Sequence, residues 1–119
     1  MYVLCNRITS LAKMPTKTTG GCAPYSYESC ELEPCQKILV NTGISFKFPD
    51  GYFGLILPSS FISLVKRLEV VLYVLNFDLR FEVCIQAYNN TNEKVRIEAG
   101  DRIARMIIFQ ESPCTLLAV

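Results

Sequence analysis

The stretch KILVNTGISFKFPDGYFGLIL, residues 37–57, decides the fold. β-Branched and aromatic side chains come in short runs, 37–40, 44–48 and 52–57, each of strand length and too short for an amphipathic helix. Between the last two lies Pro49-Asp50-Gly51, a turn with a mechanism: proline presets φ and glycine accepts a positive φ. The same grammar continues outward. Further strands are predicted at 68–75, 80–88, 94–97 and 102–109, with residues 89–92 and Glu98-Ala99-Gly100-Asp101 as hairpin turns. Residues 7–14 are a short helical candidate that Pro15 stops, and 16–34 reads as long loops or short edge strands. Many short strands with regular turns mean an all-β sandwich or barrel.

Composition narrows the class. The 119 residues suit a single domain spanning 1–119 with one core. Half of them are hydrophobic and 19% are charged, which is globular and far from disorder. Twelve basic against 11 acidic side chains leave a formal net charge of +1, without the cationic excess that neutralises nucleic-acid phosphates. The longest apolar run, 70–75, is far short of the roughly 20 residues of a membrane span. The start of the chain lacks the pattern of a secretory leader. No nucleic-acid or membrane partner is therefore expected, and the expected location is intracellular, in the cytoplasm or nucleus. On that reading Cys5, Cys22, Cys30, Cys35, Cys84 and Cys114 are thiols. With no histidine, and with Cys30 and Cys35 wrongly spaced for a zinc knuckle, no metal site is expected.

Several segments read together carry more. Ala12-Lys13-Met14-Pro15-Thr16 leads to Val40-Asn41-Thr42-Gly43-Ile44 and Phe48-Pro49-Asp50-Gly51-Tyr52. Then come Leu57-Pro58-Ser59-Ser60, Asn76-Phe77-Asp78-Leu79-Arg80-Phe81-Glu82-Val83, and Gly100-Asp101-Arg102-Ile103-Ala104-Arg105-Met106-Ile107. In order and spacing this resembles the trimeric dUTPase family over nearly the whole chain. The resemblance implies a dUTPase-like distorted jelly roll or β-clip barrel, and a homotrimer with its sites between subunits. It also implies cleavage of dUTP to dUMP and pyrophosphate with magnesium.

The chemistry-bearing positions of that family depart from its pattern here. The first motif, Ala-Gly-Tyr-Asp-Leu, matches Ala23-Pro24-Tyr25-Ser26-Tyr27, so its magnesium-orienting carboxylate is Ser26. The second, Pro-Arg-Ser-Gly, matches Pro58-Ser59-Ser60-Phe61: Ser60 survives, while the phosphate-binding guanidinium is Ser59, a loss no hydroxyl replaces. In the third, the water-activating Asp is Asn76 and the Tyr under the sugar is Leu79. An amide accepts no proton at neutral pH, so a general base is missing. The glycines of that hairpin match Tyr73 and Phe81. The fourth motif keeps Gly100 to Ala104 but has Arg105 for glutamine, and no glycine-rich fifth motif follows.

No residue is thus expected to be catalytic. Ser26, Ser59, Asn76, Leu79 and Arg105 are degenerate positions, and Ser60, Asp78 and Arg80 a remnant of substrate binding. No cofactor is expected unless dUTP hydrolysis is retained, when magnesium would be needed. Phe61, Ile62, Leu79 and Phe81 are either an apolar patch for a partner or ordinary core. Leu117, Ala118 and Val119 suit strand addition to a PDZ-type groove of a host protein. In these respects the chain is similar to certain adenoviral early-region proteins, dUTPase-derived chains that lack the catalytic motifs and act on host signalling. The expected function is that of a non-catalytic viral interaction or regulatory protein. The alternatives are an active or weakly active dUTP diphosphatase and a nucleotide sensor without turnover.

Overall fold

Alternation of apolar and polar side chains makes strands nearly all of the chain's regular structure. The computed structural model describes residues 1–76 and 81–119. Among these the strands are β1 (Leu4–Arg7), β2 (Thr16–Thr18), β3 (Gly21–Ala23), β4 (Cys30–Leu32), β5 (Lys37–Asn41) and β6 (Ile44–Lys47), followed by β7 (Tyr52–Pro58), β8 (Glu69–Val70), β9 (Tyr73–Leu75), β10 (Cys84–Tyr88), β11 (Val95–Ile97) and β12 (Ala104–Gln110). The largest sheet runs β2-β3-β12-β7-β9, a second runs β5-β10-β8, and β1-β6 and β4-β11 are two-stranded ribbons. Every strand pair is antiparallel. The architecture is the all-β, distorted jelly roll expected from the sequence.

One face of each sheet feeds a common core. Ile56, Leu75 and Met106 enter it from the largest sheet, Val40, Ile85 and Ala87 from the second, Ile44 and Phe46 from β6, and Leu32 and Ile97 from the β4-β11 ribbon. Each fully buried Leu or Ile contributes roughly 1.5–3 kcal/mol. Packing is tight enough to dictate a glycine: a Cβ on Gly54 would lie 2.7 Å from the Met106 sulfur. The turn before β7 forms as expected, with the Tyr52 N–H donating to the Pro49 carbonyl at 3.1 Å and Gly51 at φ 81°.

Several expectations need correction. Residues 7–14 are not helical: Arg7 ends β1, and a turn closed by the Ala12 N–H on the Thr9 carbonyl follows. The predicted strand 68–75 is two strands in different sheets. Val71 still donates to Gln86 beside β10, and by Tyr73 the chain has crossed to pair with β7. The predicted strand 80–88 begins pairing at Cys84, and residue 80 lies outside the described residues. Neither 89–92 nor 98–101 closes a hairpin, because β10, β11 and β12 pair with other strands and the two turns carry the chain between sheets. The stretch 16–34 holds the short strands β2, β3 and β4. One helical turn of the wide π type, Phe61–Val65, was not expected at all.

Candidate functional site

Tyr25 is the hub of a broad cleft. It follows β3, pairs through a single antiparallel bridge with Arg102, and is 7% exposed. Its hydroxyl lies against the Thr16 hydroxyl, and an Arg102 Nη2 donates to it at 3.2 Å. The Lys13 ammonium stands 4.0 Å from the ring centroid. The hydrogen bond to Thr16, then that to Arg102, holds the phenol pKa below its ordinary value. Burial works the other way and the nearby Arg102 and Lys13 charges reinforce the lowering.

The cleft beside this tyrosine measures about 530 Å³ and reaches from Thr18 and Tyr25 across Ser59, Ser60 and Phe61 to Asp101, Arg102 and Arg105. Ser59 is buried and committed to structure. Its hydroxyl donates to the Arg102 carbonyl at 2.7 Å and accepts the Ile62 N–H at 3.1 Å, fastening the π turn to the Gly100–Arg102 loop. Ser60 and Arg105 are exposed and line the cleft. Among the described residues the one carboxylate on the wall, Asp101, already accepts the Glu98 N–H at 2.8 Å. Neither Arg102 nor Arg105 meets a carboxylate among the described residues.

The structure brings Ser59, Ser60 and Arg105 together along this cleft. Ser26 is just behind them but turned away. It is buried, its backbone bonds to Asp101 and Gly100, and its hydroxyl donates to the Glu28 carbonyl at 2.5 Å. Asn76 is not at the cleft. Leu75 pairs with Gly54, which sets Asn76 level with Phe53, and from there to Ser59 an extended strand travels roughly 20 Å. Asp78, Leu79 and Arg80 lie outside the described residues. Ile62 is core at 0% exposure, whereas Phe61 lines the cleft and Phe81 is exposed. Tyr73 is half-buried and donates to the Cys84 carbonyl at 2.8 Å. Leu117 and Val119 are exposed, and residues 111–119 form no strand. Sequence reasoning missed Thr18 and the part Tyr25 plays; the Tyr25 to Arg102 pairing spans most of the chain and leaves no local signal.

A magnesium ion does not fit the described part of this cleft. Such an ion needs oxygen ligands, usually one or two carboxylates. Position 26 offers a hydroxyl aimed elsewhere, and Asp101 is tied to its own turn. No cluster of three His, Cys, Asp or Glu side chains occurs among the described residues.

The sequence profile of the dUTPase family matches residues 11–115. The deoxyuridine 5'-triphosphate nucleotidohydrolase of swinepox virus is 34% identical over 110 residues, 90% of this chain and 78% of that one. The corresponding protein of Paramecium bursaria Chlorella virus 1 is 32% identical over 111 residues, 91% of this chain and 79% of that one. Among solved structures, a mutant dUTPase of phage phi11 of S. aureus, described with a structural Mg(II) ion, superposes with a TM-score of 0.90 at 20% identity over 100% of this chain and 97% of that one. A Staphylococcus bacteriophage 80alpha dUTPase with dUpNHpp gives 0.88 at 22% identity, covering 99% and 88%.

Proposed function

Since the chain belongs to the dUTPase family, we propose that it is a member that has kept the fold and lost hydrolysis, and that it works by binding a partner protein. The observation that carries this is the chemistry at three positions. Ser59 is spent on backbone hydrogen bonds, Ser26 is turned into its own turn, and Asn76 carries an amide where the resemblance places the water-activating carboxylate. Among the described residues the cleft offers guanidiniums and hydroxyls but no free carboxylate to take a proton from water. The exposed segment 111–119, with Leu117, Ala118 and Val119, is open to strand addition by a host protein of the PDZ type. A viral setting accords with the swinepox and Chlorella virus relatives.

Hydrolysis of dUTP is the second reading, and the names of those relatives favour it over the first. Pyrophosphate release from dUTP with magnesium separates the two: the proposal expects none above background. A sensor that binds without turnover would instead take up a non-hydrolysable dUTP analogue in a calorimeter and release nothing.

Assembly as a homotrimer belongs to the same proposal. Val74 of β9, Phe53, Leu55 and Leu57 of β7, and Ile107 and Phe109 of β12 share the face of the largest sheet turned away from the core. Phe53 and Phe109 stack there at 5.6 Å. A largely apolar sheet face of this kind, with Arg105 at its edge opposite Leu57, is a surface for another subunit. The separation of Asn76 from the cleft also supports sites shared between copies. Light scattering should return three times the chain mass; a monomer at micromolar concentration would remove the trimer.

A further inference from the structure

At the open end of the core, the β1-β6 ribbon faces the β2-β3-β12 part of the largest sheet across a groove of about 300 Å³. From the ribbon comes Cys5, paired with Phe46. From the sheet come Cys22 and Met106, which are directly opposite each other and so hold their side chains about 5 Å apart. Lys17 faces Cys22 from the other side, and Met14 stands at the rim. All three methionines of the chain and two of its six cysteines line this one groove. Cys5 and Cys22 are half-buried against the core and close enough that the charge of Cys5 adds to the burial that pushes the Cys22 thiol up to about 12. Among the described residues no aspartate or glutamate lines the groove, and the chain has no histidine.

We propose that this groove is a soft-metal site that takes one Cu(I) ion between the sulfurs of Cys5 and Cys22, with the Met106 and Met14 thioethers as further ligands. Thiolates and thioethers select Cu(I), whereas magnesium, calcium and manganese want hard oxygen ligands, and no carboxylate among the described residues lines the groove. Zinc binds tetrahedrally through thiolate, imidazole or carboxylate, and two thiols supply half of such a set. Binding forms two copper–sulfur bonds and releases both thiol protons, with no change of oxidation state. The product carries one net negative charge, two thiolates against one cation, and the ammonium of Lys17 offsets it. Because both thiols must give up their protons, uptake strengthens as pH rises.

The test is anaerobic titration of the full chain with Cu(I) against a chromophoric Cu(I) chelator. One equivalent should be withheld from the chelator, and Cys5→Ser or Cys22→Ser should weaken binding at least tenfold, Met106→Leu by less. Cys114→Ser, in the exposed 111–119 segment, should change nothing. Copper taken equally well by both groove variants, or surrendered entirely by the unaltered protein, overturns the proposal. Should the groove variants fail to fold, alkylation of the unaltered chain decides: under iodoacetamide exposure long enough to label Cys5 and Cys22 in the copper-free chain, Cu(I) should slow their labelling and leave that of Cys35 and Cys114 unchanged. Unprotected groove thiols, or a Cys5–Cys22 disulfide formed without copper uptake, overturns it equally.

Discussion

Replacing Ser59 by alanine tests whether this position is a structural fastener or a ligand group merely left without its ligand. The hydroxyl is 3% exposed and makes two hydrogen bonds of ordinary length, 2.7 Å to the Arg102 carbonyl and 3.1 Å from the Ile62 N–H. Alanine removes both partners while leaving a carbonyl and an N–H against protein. A buried group stripped of its partner costs about 1–3 kcal/mol. The Arg102 carbonyl sits nearer solvent than Ile62, so the sum belongs near about 2 kcal/mol rather than at the top of that range. The assay is urea unfolding followed by far-UV circular dichroism at one fixed protein concentration, since assembly would make the midpoint concentration-dependent. With a slope of about 2 kcal/mol per molar urea, the midpoint should fall by roughly 1 M. Ser59→Thr, which keeps the hydroxyl, should recover part of the loss. A midpoint shift below about 0.2 M, corresponding to less than about 0.5 kcal/mol, would refute the reasoning and leave Ser59 free to serve a ligand.

Asn89 should be costlier still. Its buried amide donates to the Leu32 and Glu93 carbonyls at 3.0 and 2.8 Å and accepts from the Thr91 N–H and hydroxyl at 3.0 and 2.7 Å. Asn89→Leu should destabilise by about 3 kcal/mol in thermal unfolding, and a loss under about 1 kcal/mol would show that water can replace these bonds. Burial raises the Tyr73 phenol to about 12, with a smaller contribution from Cys84. Because the folded pKa lies above the unfolded one, the protonated phenol favours the fold. That contribution is intact below about pH 10 and is lost as pH rises towards about 12. Absorbance at 295 nm should therefore show one tyrosine titrating late, absent from Tyr73→Phe; an unchanged titration curve in that variant would contradict the assignment.

Residues 37–57 were legible because strand alternation and a proline–glycine turn act locally. The division of 68–75 was not, since crossing from β10 to β7 changes the partner without changing residue type. Phe61 and Ile62 read as patch or core, and the π turn they begin depends on the Ser59 hydroxyl, a contact no periodicity encodes. Asn89 read as a turn former when its amide ties the β10-β11 connection to β4 from inside. At the cleft, the motifs named Ser59, Ser60 and Arg105 one by one, and their meeting is a product of the fold. The bond between Tyr25 and Arg102 joins groups too far apart in the chain to be read from either neighbourhood. Nor does the sequence reveal that Cys5, Cys22 and Met106 converge, because each belongs to a different strand.

The central claim, a family fold without family chemistry, is met most directly by incubating the full chain with dUTP and magnesium and counting pyrophosphate. The account predicts release indistinguishable from the protein-free control, even at micromolar protein and long times. Sustained release that scales with protein concentration and stops when Asp78 is replaced by alanine would contradict it, by showing that a carboxylate in the third motif still activates water.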